Sequence, residues 1–140
     1  MKIVAVSGYF DPPTPAHIFY FRAAKKLGDK LIVILNTDEQ LLQKRAGTRL
    51  DGKVRYPLFD RMIILQEFIS VDSVIICIDK DQSVNETLRM IKPHIFAKGG
   101  DRTLDNLPQS EIDVCKEIGC EIVVGVGGGK THSSSWYYWE

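Results

Sequence analysis

The stretch Ile3-Val4-Ala5-Val6-Ser7-Gly8-Tyr9-Phe10-Asp11-Pro12-Pro13-Thr14-Pro15-Ala16-His17 decides the fold. It starts as an apolar run, turns at Gly8 and enters a helix-patterned segment over residues 18–27. Thr14 is a good N-cap, and Pro15 suits the first helical position. A strand that bends through glycine into a helix start gathers unpaired N–H groups and the positive end of the helix dipole in one place, which favours a bound anion. His17 falls in the first helical turn, where its imidazole can reach the same anion.

On both sides of this stretch apolar runs alternate with helical patterns. Strands are expected over residues 2–7, 30–36, 73–78, 94–97 and 121–124, and helices over 15–27, 38–43, 57–69, 83–91 and 107–118. The runs Leu31-Ile32-Val33-Ile34-Leu35 and Val74-Ile75-Ile76 are continuously apolar, as in strands buried on both faces of a parallel sheet. Strand–helix alternation implies right-handed crossovers. The expected fold is α/β: a Rossmann-like, doubly wound, five-stranded parallel sheet with helices on both faces, in one domain over residues 1–140. Gly28 and Gly119 are placed as helix C-caps. Met62, Ile63, Leu65, Gln66 and Ile69 are read as the apolar stripe of the third helix. The polar, basic segment 45–55 reads as a mobile loop. Ligands of such sheets bind beyond the carboxyl ends of the strands, so the pocket is expected among residues 8–14, 36–38, 79–83, 98–105 and 125–135.

Eighteen basic residues balance eighteen acidic ones, which argues against a general nucleic-acid binder while leaving room for a small basic pocket. No apolar run approaches the roughly 18 residues of a membrane helix. The three cysteines, Cys77, Cys115 and Cys120, are odd in number and lack zinc-pair spacing, and the N-terminus runs straight into a strand rather than a signal peptide. They read as buried thiols of a cytoplasmic protein. Gly128-Gly129-Lys130-Thr131 imitates the end of a P-loop, but the required first glycine would fall at Val124. The aromatic run Trp136-Tyr137-Tyr138-Trp139 suggests a homodimer contact.

The first motif resembles the G-x-F-D-x-x-H-x-G-H signature of HxGH-type nucleotidylyltransferases: Gly8, Phe10, Asp11 and His17 match, with Thr14 and Ala16 in place of the first histidine and the glycine. Beyond it the chain is similar along nearly its whole length to the adenylyltransferase domain of ADP-heptose synthase. The similar segments are Ala24-Lys25-Lys26-Leu27-Gly28-Asp29-Lys30-Leu31-Ile32-Val33, Asn36-Thr37-Asp38, Arg61-Met62-Ile63-Ile64-Leu65, Val71-Asp72-Ser73-Val74 and Lys92-Pro93-His94-Ile95-Phe96-Ala97-Lys98-Gly99-Gly100-Asp101. Glycerol-3-phosphate cytidylyltransferase is a more distant resemblance.

The resemblance implies transfer of a nucleotidyl group from a nucleoside triphosphate, ATP before CTP, to a small sugar or polyol phosphate, with release of pyrophosphate. Mg²⁺ would ride on the phosphates. It also implies roles. Lys44 would grip triphosphate and acceptor, and Arg61 would support the triphosphate. Gly8, Tyr9, Phe10 and Asp11 would frame the nucleotide with backbone N–H groups. Lys98, Gly99, Gly100 and Asp101 would line the nucleoside, and Ser133, Ser134 and Ser135 would bind phosphate or nucleoside at a last helix start. Such a transfer needs alignment and stabilisation of developing negative charge. His17 would supply a fully charged donor, and Thr14 a neutral one. A nucleotide-binding module of the same fold, with catalysis weakened by the Thr-Pro-Ala-His form of the motif, is the alternative.

Overall fold

The structure, a computed structural model, describes residues 1–100 and 102–128. Asp101, Ser133, Ser134, Ser135 and the aromatic run 136–139 lie outside the described residues. The elements are β1 (Ile3–Gly8), α1 (Pro15–Lys25), β2 (Lys30–Leu35), α2 (Asp38–Arg45), α3 (Leu58–Gln66), β3 (Ser73–Ile76), α4 (Asn85–Ile91), β4 (Ile95–Gly99), a 3₁₀ turn (Leu104–Asn106), α5 (Gln109–Ile118) and β5 (Glu121–Val126). Among the described residues the sheet has five parallel strands in the order β3-β2-β1-β4-β5.

Strand alternation divides the core into two layers. Val4, Val6, Leu31, Val33 and Leu35 pack on one face with Phe21 and Ala24 of α1 and Leu65 of α3. Ala5, Ile34 and Phe96 pack on the other with Leu88 of α4 and Val114 and Cys115 of α5. The sheet is therefore covered on both sides, as the unbroken apolar run in β2 requires. The run in β3 is only half-buried, because β3 is an edge strand with β2 as its one neighbour. All three cysteines are buried free thiols. Among the described residues, no helix is long and apolar enough to cross a membrane.

Several local expectations are corrected. Gly119 does cap α5 in the left-handed conformation (φ 71°), but Gly28 is not a left-handed cap. α1 already ends at Lys25, and a Cβ on Gly28 would lie 2.8 Å from the Lys2 carbonyl oxygen and from Val4 Cγ2. Glycine is needed there for close passage against β1. The inward face of α3 matches the expected stripe only at Met62 and Leu65. Arg61 and Leu65 are buried and Leu58 and Met62 pack on the core, whereas Ile63 is 59% and Ile69 100% exposed. The spacing 58, 61, 62, 65 is helical, but its second member is an arginine, which hides the periodicity.

The segment 45–55 is not a free loop. It turns at Gly47 and Gly52, buries Leu50, and is tied to the β1–α1 turn by Asp11. Asp79, expected among the pocket loops, caps α4. Its carboxylate accepts from the backbone N–H groups of Glu86 and Thr87 and from Thr87 Oγ1. Burial works to raise its pKa, but the Thr87 and Glu86 bonds outweigh burial and hold it below the ordinary carboxylate value.

Candidate active site

From β1 the chain winds outward through β2 to β3, then returns to β1's other side with β4 and β5. The carboxyl ends of β1 and β4 therefore form the switch point of the sheet, where a crevice opens. A cleft of about 630 Å³ lies there. Its walls are residues 7–11 and His17 and Tyr20 of α1, Asn36 after β2, residues of α2 and the segment behind it, residues 82–85, Lys98 of β4, Arg102, and the start of α5.

The β1–α1 turn is built around Phe10. Its backbone is left-handed (φ 51°), so its ring folds back over Gly8, where an added Cβ would sit 2.7 Å from Phe10 Cζ. The same ring meets His17 edge-on, with centroids 4.8 Å apart, and Phe21 at 5.3 Å. Asp11 lines the cleft, but its fully buried carboxylate turns to the segment behind α2. Oδ2 accepts from Arg45 Nη1 at 2.8 Å and from Arg55 N at 2.7 Å, and Oδ1 accepts from Tyr56 N at 2.6 Å.

Thr14 and His17 depart from expectation. Thr14 is the N-cap of α1 and is 4% exposed, and it is not among the cleft-lining residues. Its backbone N–H donates to His17 Nδ1 at 2.8 Å. A ring nitrogen that accepts this bond carries no proton, which places the proton on Nε2. This tautomer is inferred from the bond. His17 is thus set as a neutral, oriented Nε2–H donor, not the fully charged group expected, and the backbone of Thr14 orients it.

Lys44, in the last turn of α2, lines the cleft with Nζ 4.5 Å from the Tyr9 ring centroid, and burial pushes the Tyr9 phenol pKa upward. Arg61 does not line the cleft, nor is it on a solvated face. It is 0% exposed, with Nε donating to the Tyr56 carbonyl at 2.9 Å, Nη1 to the carbonyls of Tyr9 at 2.5 Å and Asn36 at 2.9 Å, and Nη2 to Asp38 Oδ1 at 2.6 Å. Its fork binds four protein oxygens, and it positions two cleft segments from behind.

At the other end, Lys98 lines the cleft and Gly99 and Gly100 do not. Gly99 lets β4 pass Tyr20, whose ring would lie 3.0 Å from an added Cβ, and Gly100 turns with φ 59°. The Tyr20 hydroxyl donates to the Ala97 carbonyl at 2.5 Å. Lys98 Nζ donates to Glu111 Oε1 at 3.2 Å. Burial lowers the Lys98 ammonium pKa below the ordinary lysine value, against the opposing pull of Glu111.

Sequence reasoning placed Arg102 in an expected pocket loop and missed Tyr20, Arg49, Asn85, Ser110 and Glu111 as cleft residues. Tyr20 was findable: it lies three residues beyond His17, on the same helix face. Glu111 carries no motif, since only the approach of α5 to β4 brings it to Lys98. The cleft gathers Lys44, Arg45, Arg49, Lys98 and Arg102 against the carboxylates of Asp11 and Glu111. A chain of zero formal charge thus concentrates positive charge in one cavity, which suits a polyanion.

Comparisons with known proteins agree on the family. The chain matches the cytidylyltransferase-like family over residues 5–139. It is 33% identical over 127 residues to the bifunctional protein HldE of Methylococcus capsulatus and 35% identical over 129 residues to that of Hahella chejuensis, in each case over 91% of this chain. The match covers 24% and 23% of those relatives, so the chain spans about a quarter of their length. Its fold is shared with the lipopolysaccharide core biosynthesis protein of Thermoplasma volcanium, at a TM-score of 0.73 and 24% identity over 93% of this chain and 99% of that one. With the parallel sheet, the switch-point cleft and the motif at its first turn, these matches place the chain in the cytidylyltransferase-like family of nucleotidyltransferases.

Proposed function

We propose that this domain transfers a nucleotidyl group from a nucleoside triphosphate, ATP before CTP, to a small sugar or polyol phosphate. One observation carries the reading: the strand–turn–helix start puts an oriented Nε2–H donor, His17, and the Lys44 ammonium on the walls of one cationic cleft. The HldE relatives support a sugar phosphate as acceptor.

In the reaction, a phosphate oxygen of the acceptor attacks the α-phosphorus of the triphosphate. The new P–O bond forms as the bond to the bridging oxygen breaks, and pyrophosphate leaves with that electron pair. His17 Nε2–H would donate to an α-phosphate oxygen as negative charge builds, and Lys44, a point charge on a long stem, would grip the triphosphate and the incoming phosphate. Gly8, Tyr9 and Phe10 would bring backbone N–H groups to the same phosphates. Asp101, Ser133, Ser134 and Ser135 keep their proposed nucleoside and phosphate roles. Mg²⁺ on the triphosphate would add charge neutralisation. Among the described residues no group of three or more His, Cys, Asp or Glu forms a cage for it, and Mg²⁺ characteristically rests on phosphates and water. The free thiols fit a cytoplasmic setting, and a homodimer remains part of the proposal.

The test is pyrophosphate release on incubation with ATP or CTP and a panel of sugar 1-phosphates and polyol phosphates, with Mg²⁺. Release that requires both a triphosphate and one acceptor class is expected. Tight triphosphate binding without release over the whole panel would refute the transferase reading in favour of a binding module.

A further inference from the structure

The ladder between β2 and β3 ends at Leu35 and Ile76, with one further bond from the Cys77 N–H to the Leu35 carbonyl. Beyond it the two stretches of chain part. Both reach the cleft, the first with Asn36, Leu41 and Lys44, the second with residues 82–85. One buried side chain spans the gap between them. Gln40 is 1% exposed and does not line the cleft. Its Oε1 accepts from the Thr37 N–H at 2.9 Å and from Asn36 Nδ2 at 3.1 Å. Its Nε2 donates to the carbonyls of Asp81 at 2.6 Å and Ser83 at 3.1 Å, and to Cys77 Sγ at 3.3 Å.

The orientation of this amide is unique. A backbone N–H can only donate and a carbonyl can only accept, so the oxygen must face Thr37 and the nitrogen must face residues 81 and 83. Gln43, three residues further along α2, adds a bond from Nε2 to the Lys80 carbonyl at 3.2 Å, but it is exposed. The bonds that the second stretch makes within itself are local. Asp81 Oδ1 accepts from the Ser83 N–H and hydroxyl, and Asp79 Oδ2 from the same hydroxyl. They shape a turn without tying it to α2. Burying a glutamine orders a long side chain and requires that both ends of its amide be paired. In return it fixes the direction as well as the distance between two backbones, which an apolar side chain of the same size does not.

We propose that Gln40 is a positioning residue: through Nε2 it clamps residues 82–85 at a fixed distance from Asn36 and Lys44, and so sets the width of the cleft for the substrate that lies between these walls. This rests on the nucleotidyl-transfer reading above. Lys44 stands four residues beyond Gln40 on the same helix, so one side chain holds the opposite wall relative to the element that carries the cation.

The test uses two variants of the whole chain. Gln40→Glu, assayed at pH 8, keeps an oxygen for Thr37 and Asn36 but turns a second oxygen toward the Asp81 and Ser83 carbonyls, which repel it. Gln40→Met keeps the length and removes both sets of bonds. Leu31→Val, at the start of β2 and away from the cleft, serves as a destabilised comparison. Melting temperatures establish that each variant is folded, and Gln40→Met decides if Gln40→Glu is not. Hydrogen–deuterium exchange reads the clamp. In Gln40→Glu the amides of residues 81–85 should exchange about 10- to 100-fold faster, while those of 37–41 stay at wild-type rates. Steady-state pyrophosphate release reads the consequence. The KM of at least one substrate should rise about 3- to 30-fold with kcat within about threefold of wild type, whereas Leu31→Val keeps both constants. Unchanged exchange at 81–85 in both variants overturns the inference. So do wild-type KM values in both, or an equal rise in Leu31→Val, which would mark a loss of stability alone. A fall in kcat at unchanged KM also overturns it, since the effect would then run through α2 to Lys44. If wild type releases no pyrophosphate with any acceptor, the transfer reading fails on its own, and the exchange rates still decide whether Gln40 clamps the wall.

Discussion

Replacing Arg61 is expected to affect stability before chemistry. The guanidinium is fully buried and donates to four oxygens: the carbonyls of Tyr56, Tyr9 and Asn36, and Asp38 Oδ1. Arg61→Ala removes all four bonds and opens a cavity, and water entering it can satisfy part of what is lost. Bonds to a charged group contribute about 1.5–3 kcal/mol each and do not add fully. Breaking a buried ion pair by deleting one partner costs about 3–5 kcal/mol. Asp38 is itself partly exposed, with 39% of its side chain accessible, so its share is at the low end. The expected loss is about 3–5 kcal/mol, a large fraction of the roughly 5–15 kcal/mol that holds a domain together. Arg61→Lys keeps the charge but not the fork, and should lose about half as much. Urea unfolding followed by circular dichroism measures both. Since Tyr9 and Asn36 line the cleft, the folded Lys variant should also show a raised KM for the triphosphate. An unfolding free energy for Arg61→Ala within about 0.5 kcal/mol of wild type would refute the positioning role and return Arg61 to a direct one.

Three further outcomes follow from the same geometry. His17→Ala should lower kcat about 10²–10³-fold, whereas Thr14→Ala, which keeps the backbone N–H that fixes the His17 tautomer, should stay within about tenfold of wild type; steady-state pyrophosphate release compares them, and equal losses would refute the indirect role of Thr14. Asp11→Asn removes the charge opposite buried Arg45 and one acceptor oxygen of the three-donor cluster, so limited proteolysis should cut first within residues 45–55 and the melting temperature should fall; an unchanged cleavage pattern would count against Asp11 as the tie. Asp79 has a folded-state pKa below its ordinary value of 3.8, so its contribution is complete above that value and is lost as pH falls through the lowered one. Urea midpoints should therefore show Asp79→Asn about 1–2 kcal/mol less stable at pH 7, with the gap narrowing in acid, and a gap that widens in acid would contradict the assignment.

Much of the fold was legible because the sheet's chemistry is written in consecutive residues. Leu31 to Leu35 has no polar interruption, which only a strand buried on both faces requires, and Thr14-Pro15 and Gly119 mark helix ends by local conformational preference. The errors came where tertiary contacts override local pattern. Arg61 broke the apolar period of α3 because its partners, the carbonyls of Tyr9 and Asn36, come from distant turns. Gly28 reads locally as a cap, yet its reason is the approach of Lys2, 26 positions away in the chain. The segment 45–55 looked free because nothing within it announces that Asp11 would gather its N–H groups.

The same distinction explains which site residues could be read and which could not. His17 and Lys44 were accessible to motif reasoning because each lines the cleft from its own element. Thr14, Asp11 and Arg61 belong to the same motifs, yet their polar atoms turn inward: Thr14 to the His17 ring, Asp11 to the segment behind α2, and Arg61 to the turns on either side. A motif shows that residues occur together but not whether each touches ligand or supports one that does, because both roles need a polar side chain near the same turn. Burial separates them. Arg61 is at 0% and Thr14 at 4% relative exposure, whereas Lys44 is exposed on the cleft wall. Glu111 adds the converse case: it is buried beside Lys98 with one oxygen unpaired among the described residues, and no local pattern in the sequence announces it, because only the packing of α5 against β4 brings the two together.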